Sequence, residues 1–523
     1  MPSILPNECL QEIFATINVT DFSTLYSVIL VNRTWCENAI TFLWKAPFRS
    51  DPKTTNIDKI VPIFLSFLKY DIKIDLRINS FKLPTKLAFY YPSFLRHLDL
   101  NNLIIAVTQW LHANPPLNEM TLFYHKRTKK EIVIEDDQRN DFVIAILNVI
   151  ITSSERIDDL QINMKDKIDL NMQNFFKNDL KKFFATPETQ KCLSKLERFD
   201  CSGQIPISDI LLELSNYAHN IMTLSFHQSN IDESNDVKHK ELSALIKVQQ
   251  NLQYTHFEWL KNEGDISSVI LALSSNINSL KSFEMVNGVV NNIALELLSK
   301  CSNIETLHFR GQPFMSRHMA IFCDAMFPKL NSLQFINMER RRDRTEDTNP
   351  FARMIQNIGI NSSLRSLCIC DKANHHSSLL DAVSQISQNL TSFTTHLTES
   401  TEKSFILSIL RNATRLEILN ILQFNLINTF YIEDDGFLSE MAKVVPVTLR
   451  HLDISQLEFS IESLGEFLTN CGVKFVSLIY NSVYYKNSQE DYIRKLADEN
   501  QWIVKKFRAK DETNHTKIFI EWG

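Results

Sequence analysis

One pattern runs through most of this 523-residue chain: apolar-x-x-apolar-x-apolar, with a polar turn before it and an amphipathic stretch after it. Its leading residues are Leu95, Leu117, Ile157, Leu196, Ile221, Leu252, Leu280, Ile304, Leu330, Leu364, Leu390, Leu416, Leu449 and Phe475, and the median step between them is 26 residues. The last two apolar positions lie two apart, so they share one face of a strand, and the amphipathic stretch that follows has helical spacing. No such unit can bury its apolar face alone, so neighbours must stack into an array. Helices are expected at 289–300, 316–326, 402–411 and 461–469. The steps of 40 and 39 residues on either side of Ile157 either hide a repeat or carry insertions.

Asn220, Asn251, Asn303 and Asn389 each stand just before a leading residue. They are expected to take the left-handed conformation that ends a helix, a task usually given to Gly. Glycine is scarce: 9 residues in the whole chain, with no G-x-G and no spacing that would cradle a phosphate. Residues 502–508 and 516–522 read as strands around a polar turn, a cap for the exposed end of a sheet.

Composition narrows the function classes. Hydrophobic residues make up 44% and charged residues 22%, an ordinary globular balance. The net charge of −6 supplies no general basic field for nucleic acid. Two basic clusters, His125–Lys130 and Arg340–Arg344, fall between repeats and read as solvated loops. Nine cysteines without a C-x-x-C point to reduced thiols in an intracellular protein rather than to disulfides or structural zinc. Asn7 and Glu8 interrupt the opening residues, so no secretory signal is read there, and the most apolar stretch, 142–151, is too short to span a membrane. No Ser/His/Asp or Cys/His arrangement stands out, and His375 and His376, being adjacent, diverge. The expectation is a non-enzyme with no cofactor and no metal. Cys368 and Cys370 are expected to face the open sheet surface.

Three short helices can be read before Pro47. Pro6 and Glu8 suit the start of the first, whose Leu10, Ile13, Phe14 and Ile17 share a face. Asp21 can cap a second, carrying Phe22, Leu25, Val28 and Ile29, and Asn32 a third, carrying Trp35, Ala39, Phe42 and Leu43. So short a unit cannot bury all of Leu5, Leu10, Phe14, Trp35 and Trp44 by itself, so some must pack on a partner or on the next domain.

These residues resemble an F-box. The Leu5-Pro6-x-Glu8 opening, Leu10, Ile13-Phe14, Val31-Asn32-Arg33-x-Trp35 and Leu43-Trp44 follow that family's order, while Ile17 and Asn18 depart from its usual leucine-rich helix end. With the array behind it, the chain resembles F-box/leucine-rich-repeat substrate receptors of SCF-type ubiquitin ligases. That resemblance implies an α/β fold: an F-box at 1–48, a linking segment at 49–92, a degenerate leucine-rich-repeat solenoid at 93–486 and a cap at 487–523. An all-α solenoid is the structural alternative.

The resemblance also implies partners: a Skp-type adaptor, through it a cullin, and a protein target whose ubiquitination the complex directs. Adaptor contacts are expected at Leu5, Pro6, Glu8, Leu10, Ile13, Phe14, Leu25, Val28 and Trp35. Target contacts are expected at the polar positions that alternate with core residues in the best-patterned strands: Thr306, His308, Ser366, Cys368, His451 and Asp453. A cytoplasmic or nuclear location follows from such a role, with no membrane contact. The functional alternative is a scaffold that holds the adaptor without a ligase.

Overall fold

The computed structural model describes residues 5–17, 22–49, 57–78, 81–114, 136–164, 169–203, 205–228, 235–259, 266–311, 316–337, 350–361, 363–371, 376–397, 402–422, 432–433, 435–455, 457–482, 486–499, 504–512 and 515–522. Two compact units divide the chain, Met1–Leu260 and Lys261–Gly523.

The first unit opens with α1 (Asn7–Thr16), α2 (Phe22–Ile29) and α3 (Arg33–Leu43). Asn32 caps α3 by accepting the Trp35 amide at 2.9 Å, which satisfies a donor the helix cannot pair internally. Leu10, Phe14 and Ala39 form the buried centre of this bundle, with Ile17, Val28, Ile29, Trp35 and Phe42 packed around them. The surplus apolar surface goes inward as well as outward. Trp44 leaves the bundle and lies 4.3 Å from the Tyr91 ring, centroid to centroid, and 6.2 Å from that of Phe64.

Five parallel strands follow in sequence order: β1 (His97–Asp99), β2 (Asp159–Met164), β3 (Arg198–Gly203), β4 (Thr223–Gln228) and β5 (Tyr254–Glu258). Gly203 ends β3 with φ +110°, where a Cβ would strike the Met164 carbonyl of β2.

The second unit repeats the scheme with β6 (Ser282–Val286), β7 (Thr306–Arg310), β8 (Ser332–Asn337), β9 (Ser366–Asp371), β10 (Ser392–Thr395) and β11 (Ile418–Ile421). It continues through β12 (Ile432–Glu433), β13 (His451–Asp453), β14 (Leu457–Glu458), β15 (Ser477–Ser482), β16 (Val504–Glu512) and β17 (His515–Trp522). The order is β6-β7-β8-β9-β10-β11-β13-β15-β17-β16, while β12 and β14 pair separately. β17 runs antiparallel to both β15 and β16, so the parallel series closes on a hairpin, as the C-terminal pattern predicts. Parallel strands joined by helices exclude the all-α solenoid.

Every described leading residue is buried, at 5% exposure or less. The residues after it carry a feature of the backbone alone. In successive repeats, the two amides that follow the leading residue both donate to one carbonyl of the repeat before. Glu305 and Thr306 bond Lys281 O; Asn331 and Ser332 bond Glu305 O; Arg365 and Ser366 bond Asn331 O. The same hook joins Arg96 and His97 to Lys45 O, Asp158 and Asp159 to Arg96 O, and Val476 and Ser477 to Arg450 O. These bonds set the register before each strand begins. Behind the sheet, Phe283, Leu307, Leu333, Leu367, Phe393, Leu419, Leu452 and Leu478 are register partners strand to strand and almost fully buried. Each contributes about 1.5–3 kcal/mol by burial.

Several expectations are resolved, corrected or lie outside the description. β1 pairs directly with β2, so no repeat led by Leu117 stands between them; Leu117 itself lies outside the described residues. The 39-residue step to Leu196 is an insertion, holding helical segments from Leu170 to Leu193, since β2 pairs directly with β3. The four Asn residues do not adopt positive φ: among described non-glycine residues only Arg77 and Asn287 do. Instead the Asn220 amide donates to Ser194 O at 2.9 Å, and that of Asn303 to Asn278 O at 2.7 Å, stitching a repeat to its predecessor. Residues 125–130, 340–344 and His375 lie outside the description.

Candidate functional site

Alternate side chains of each strand point away from the helices and form an open polar face on each unit's sheet. In the second unit, register places Ser282, Thr306, Ser332, Ser366 and Ser392 in one row, continuing through Ile418 to His451 and Ser477. The next row holds Glu284, His308, Gln334, Cys368, Thr394, Asn420 and Asp453. All six residues read as target contacts therefore fall on two adjacent rows. Five are partly exposed. Asp453 is buried, accepting the Ser455 amide at 2.9 Å.

The rows are cross-linked. His308 Nε2 pairs with Ser332 Oγ at 2.8 Å and His451 Nδ1 with Ser477 Oγ at 2.8 Å. Arg310 donates to Gln334 at 2.8 Å and Asn420 to Thr394 at 3.0 Å. Sequence reasoning missed Ser332, Gln334, Thr394 and Asn420, although each stands two or four residues after its leading residue, the same offset as Thr306 and His308.

Cys368 is half-buried on this face and Cys370 is buried, so of the two thiols expected to face the open surface only Cys368 is partly exposed there. A hydrogen bond with Cys370 holds the Cys368 thiol below its ordinary range, aided by Gln334 and the positive charge of Arg310, against the opposing effect of burial. By contrast, burial pushes Cys192 up to about 11 and Cys301 up to about 12.

The first unit's open face is more strongly charged. Its rows run His97–Asp159–Arg198–Thr223–Tyr254, then Asp99–Gln161–Asp200–Ser225–His256, then Asn163–Ser202–His227–Glu258. His97 Nδ1 lies 3.1 Å from Asp159 Oδ2, and Asn163 donates to Asp200 at 3.3 Å. Burial pushes the Asp99 carboxyl up to about 6; the charges of Asp200 and Asp159 add to this, while the Asn102 and Asn101 amides oppose it. Asp200 is raised in the same direction, chiefly by burial.

A separate cleft of about 590 Å³ lies among this unit's helices, lined by Ile72, Asp141, Asp179, Lys182 and Phe183 among others.

Of the adaptor-contact candidates, Leu10, Phe14 and Leu25 are buried at 1% exposure, and Val28 and Trp35 are partly buried. Phe14 meets Trp35 edge-on at 5.4 Å. Leu10, Phe14, Val28 and Trp35 pack together in the centre of the bundle. The outward candidates are Leu5 (49% exposed), Pro6, Glu8 and Ile13 (48% exposed). Tyr26, Leu30 and Val31, which sequence reasoning did not select, are also exposed on or just after α2.

Each unit is thus a stack of strand–helix repeats with an open polar face. No protein-family model matches the sequence, and no curated protein matches it. Among solved structures, an internalin from Listeria monocytogenes aligns at 14% identity over 75% of this chain and 88% of that one, with a TM-score of 0.31. Among the described residues no helix is long and apolar enough to cross a membrane.

Proposed function

We propose that the chain is a substrate receptor of an SCF-type ubiquitin ligase, acting by binding rather than by catalysis. In this reading residues 1–48 hold a Skp-type adaptor, 49–92 link them to the repeats, the repeats of 93–486 hold a protein target and 487–523 cap the array. The observation that carries it is the three-helix element at the head of the chain, which leaves Leu5, Ile13, Tyr26, Leu30 and Val31 exposed beside a filled core. Five large apolar groups on so small an element are what an adaptor-binding surface needs. The hydroxyl, amide and imidazole rows of the second unit suit a protein target better than a polyanion. A receptor of this kind raises local concentration, holding a target lysine near a ubiquitin-charged enzyme.

Leu5→Ala with Pro6→Ala tests the adaptor contact. Half of Leu5 remains to be covered, worth about 1 kcal/mol, and Pro6 adds its ring and the fixed entry into α1. The double variant is expected to bind adaptor about 30- to 150-fold more weakly in a titration against purified adaptor, with its circular dichroism unchanged. Wild-type affinity in a folded double variant would sink the proposed contact.

A further inference from the structure

We propose that His227, His256 and Glu258 form a binding site for a zinc-class divalent metal ion on the open face of the N-terminal unit. β4 and β5 are adjacent and parallel, His227 and Glu258 are register partners, and His256 stands two residues before Glu258 on the same face. The imidazole rings lie 4.6 Å apart, centroid to centroid, tilted by 30°. His227 Nδ1 sits 2.8 Å from Glu258 Oε2, and one ligand atom from each of the three residues lies within 4.8 Å of the others. A tetrahedral ion with bonds of about 2.0–2.2 Å needs donors roughly 3.4 Å apart, so a side-chain adjustment of about 1 Å closes the set.

The surroundings favour a cation. Asp200, on the neighbouring β3, lies within electrostatic reach of both imidazoles, and its buried Oδ1 has no hydrogen-bond partner. All three ligand side chains are at least partly exposed, so an ion can reach them without opening the fold. Two nitrogens and one carboxylate select zinc, cobalt, nickel or copper over magnesium and calcium, and three protein donors leave a fourth position for water. The site is independent of the adaptor-binding reading.

The test is titration of the chelator-stripped full chain with Co²⁺. One equivalent is expected to develop visible absorption bands of a low-coordinate cobalt site, which Zn²⁺ then abolishes. His227→Ala and His256→Ala should each remove the bands, Glu258→Gln should weaken binding at least about tenfold, and His308→Ala should leave it unchanged. Circular dichroism reports whether each variant stays folded. Since the ligands are surface groups, one that unfolds is replaced by His227→Gln or His256→Gln. Bands that survive both histidine substitutions, as cobalt on cysteines would give, overturn the proposal. So does a full chain that develops no bands at one equivalent.

Discussion

Phe309→Ala is expected to lower the stability of the C-terminal unit by about 3–5 kcal/mol. Phe309 is 1% exposed and packs at the centre of an aromatic file. Its ring stacks on Phe335 at 5.3 Å, meets Phe283 at 5.6 Å and Phe322 at 6.1 Å. Three of these rings come from adjacent strands and the fourth from the helix Ser316–Cys323, so one truncation opens a cavity between repeats. Stability in a stacked array is the sum of repeat and nearest-neighbour terms, and this residue sits in two neighbour interfaces at once. Phe309→Leu, which keeps most of the volume, should cost about 1.5 kcal/mol or less. Urea unfolding followed by circular dichroism measures both. A loss below about 1 kcal/mol for the alanine variant would mean that the file is not the core of the unit.

The second large effect is electrostatic. Asp99 caps the helix Leu100–Ala113, accepting the Asn102 amide at 2.9 Å, yet its carboxyl is pushed up to about 6 from an ordinary 3.8. The folded state therefore holds the proton more tightly than the unfolded chain does. The resulting stability is fully present below the unfolded value and is lost as pH rises through about 6. That span corresponds to roughly 3 kcal/mol. Asp99→Asn keeps a capping oxygen without the charge. Relative to this variant, the wild-type protein is expected to lose about 2–3 kcal/mol between about pH 4 and about pH 7.5. Parallel stability curves for the two proteins would show that Asp99 is not buried among like charges.

The array was legible because burial is periodic. Ile304, Leu330 and Leu364 announce their strands two residues ahead, and that offset also gives the outward positions Thr306, Ser332 and Ser366. The bare apolar pattern alone could not separate a true repeat from a chance one, and Leu117 shows it. What marks the true repeats is a carbonyl such as Asn331 O receiving two amides, a backbone feature that no side chain encodes. Asn220 and Asn303, before their leading positions, work through their side-chain amides rather than through a left-handed backbone, which their residue type alone does not reveal. The helical face Leu10, Ile13, Phe14, Ile17 was legible too, but periodicity could not say that Leu10 and Phe14 point inward while Ile13 stays exposed. The His227–His256–Glu258 cluster escaped notice because its members meet across strands. Only His256-x-Glu258 is local, and its partner comes from the preceding repeat.

The receptor account rests on what the first helices hold. The direct measurement is co-purification of the full chain, and of a version lacking residues 1–48, with a Skp-type adaptor and a cullin. The account predicts stoichiometric adaptor and cullin with the full chain and neither with the shortened one. Adaptor without cullin would point to a scaffold. Absence of adaptor from the full chain would contradict the account, and the three helices would then be only a cap on the repeats.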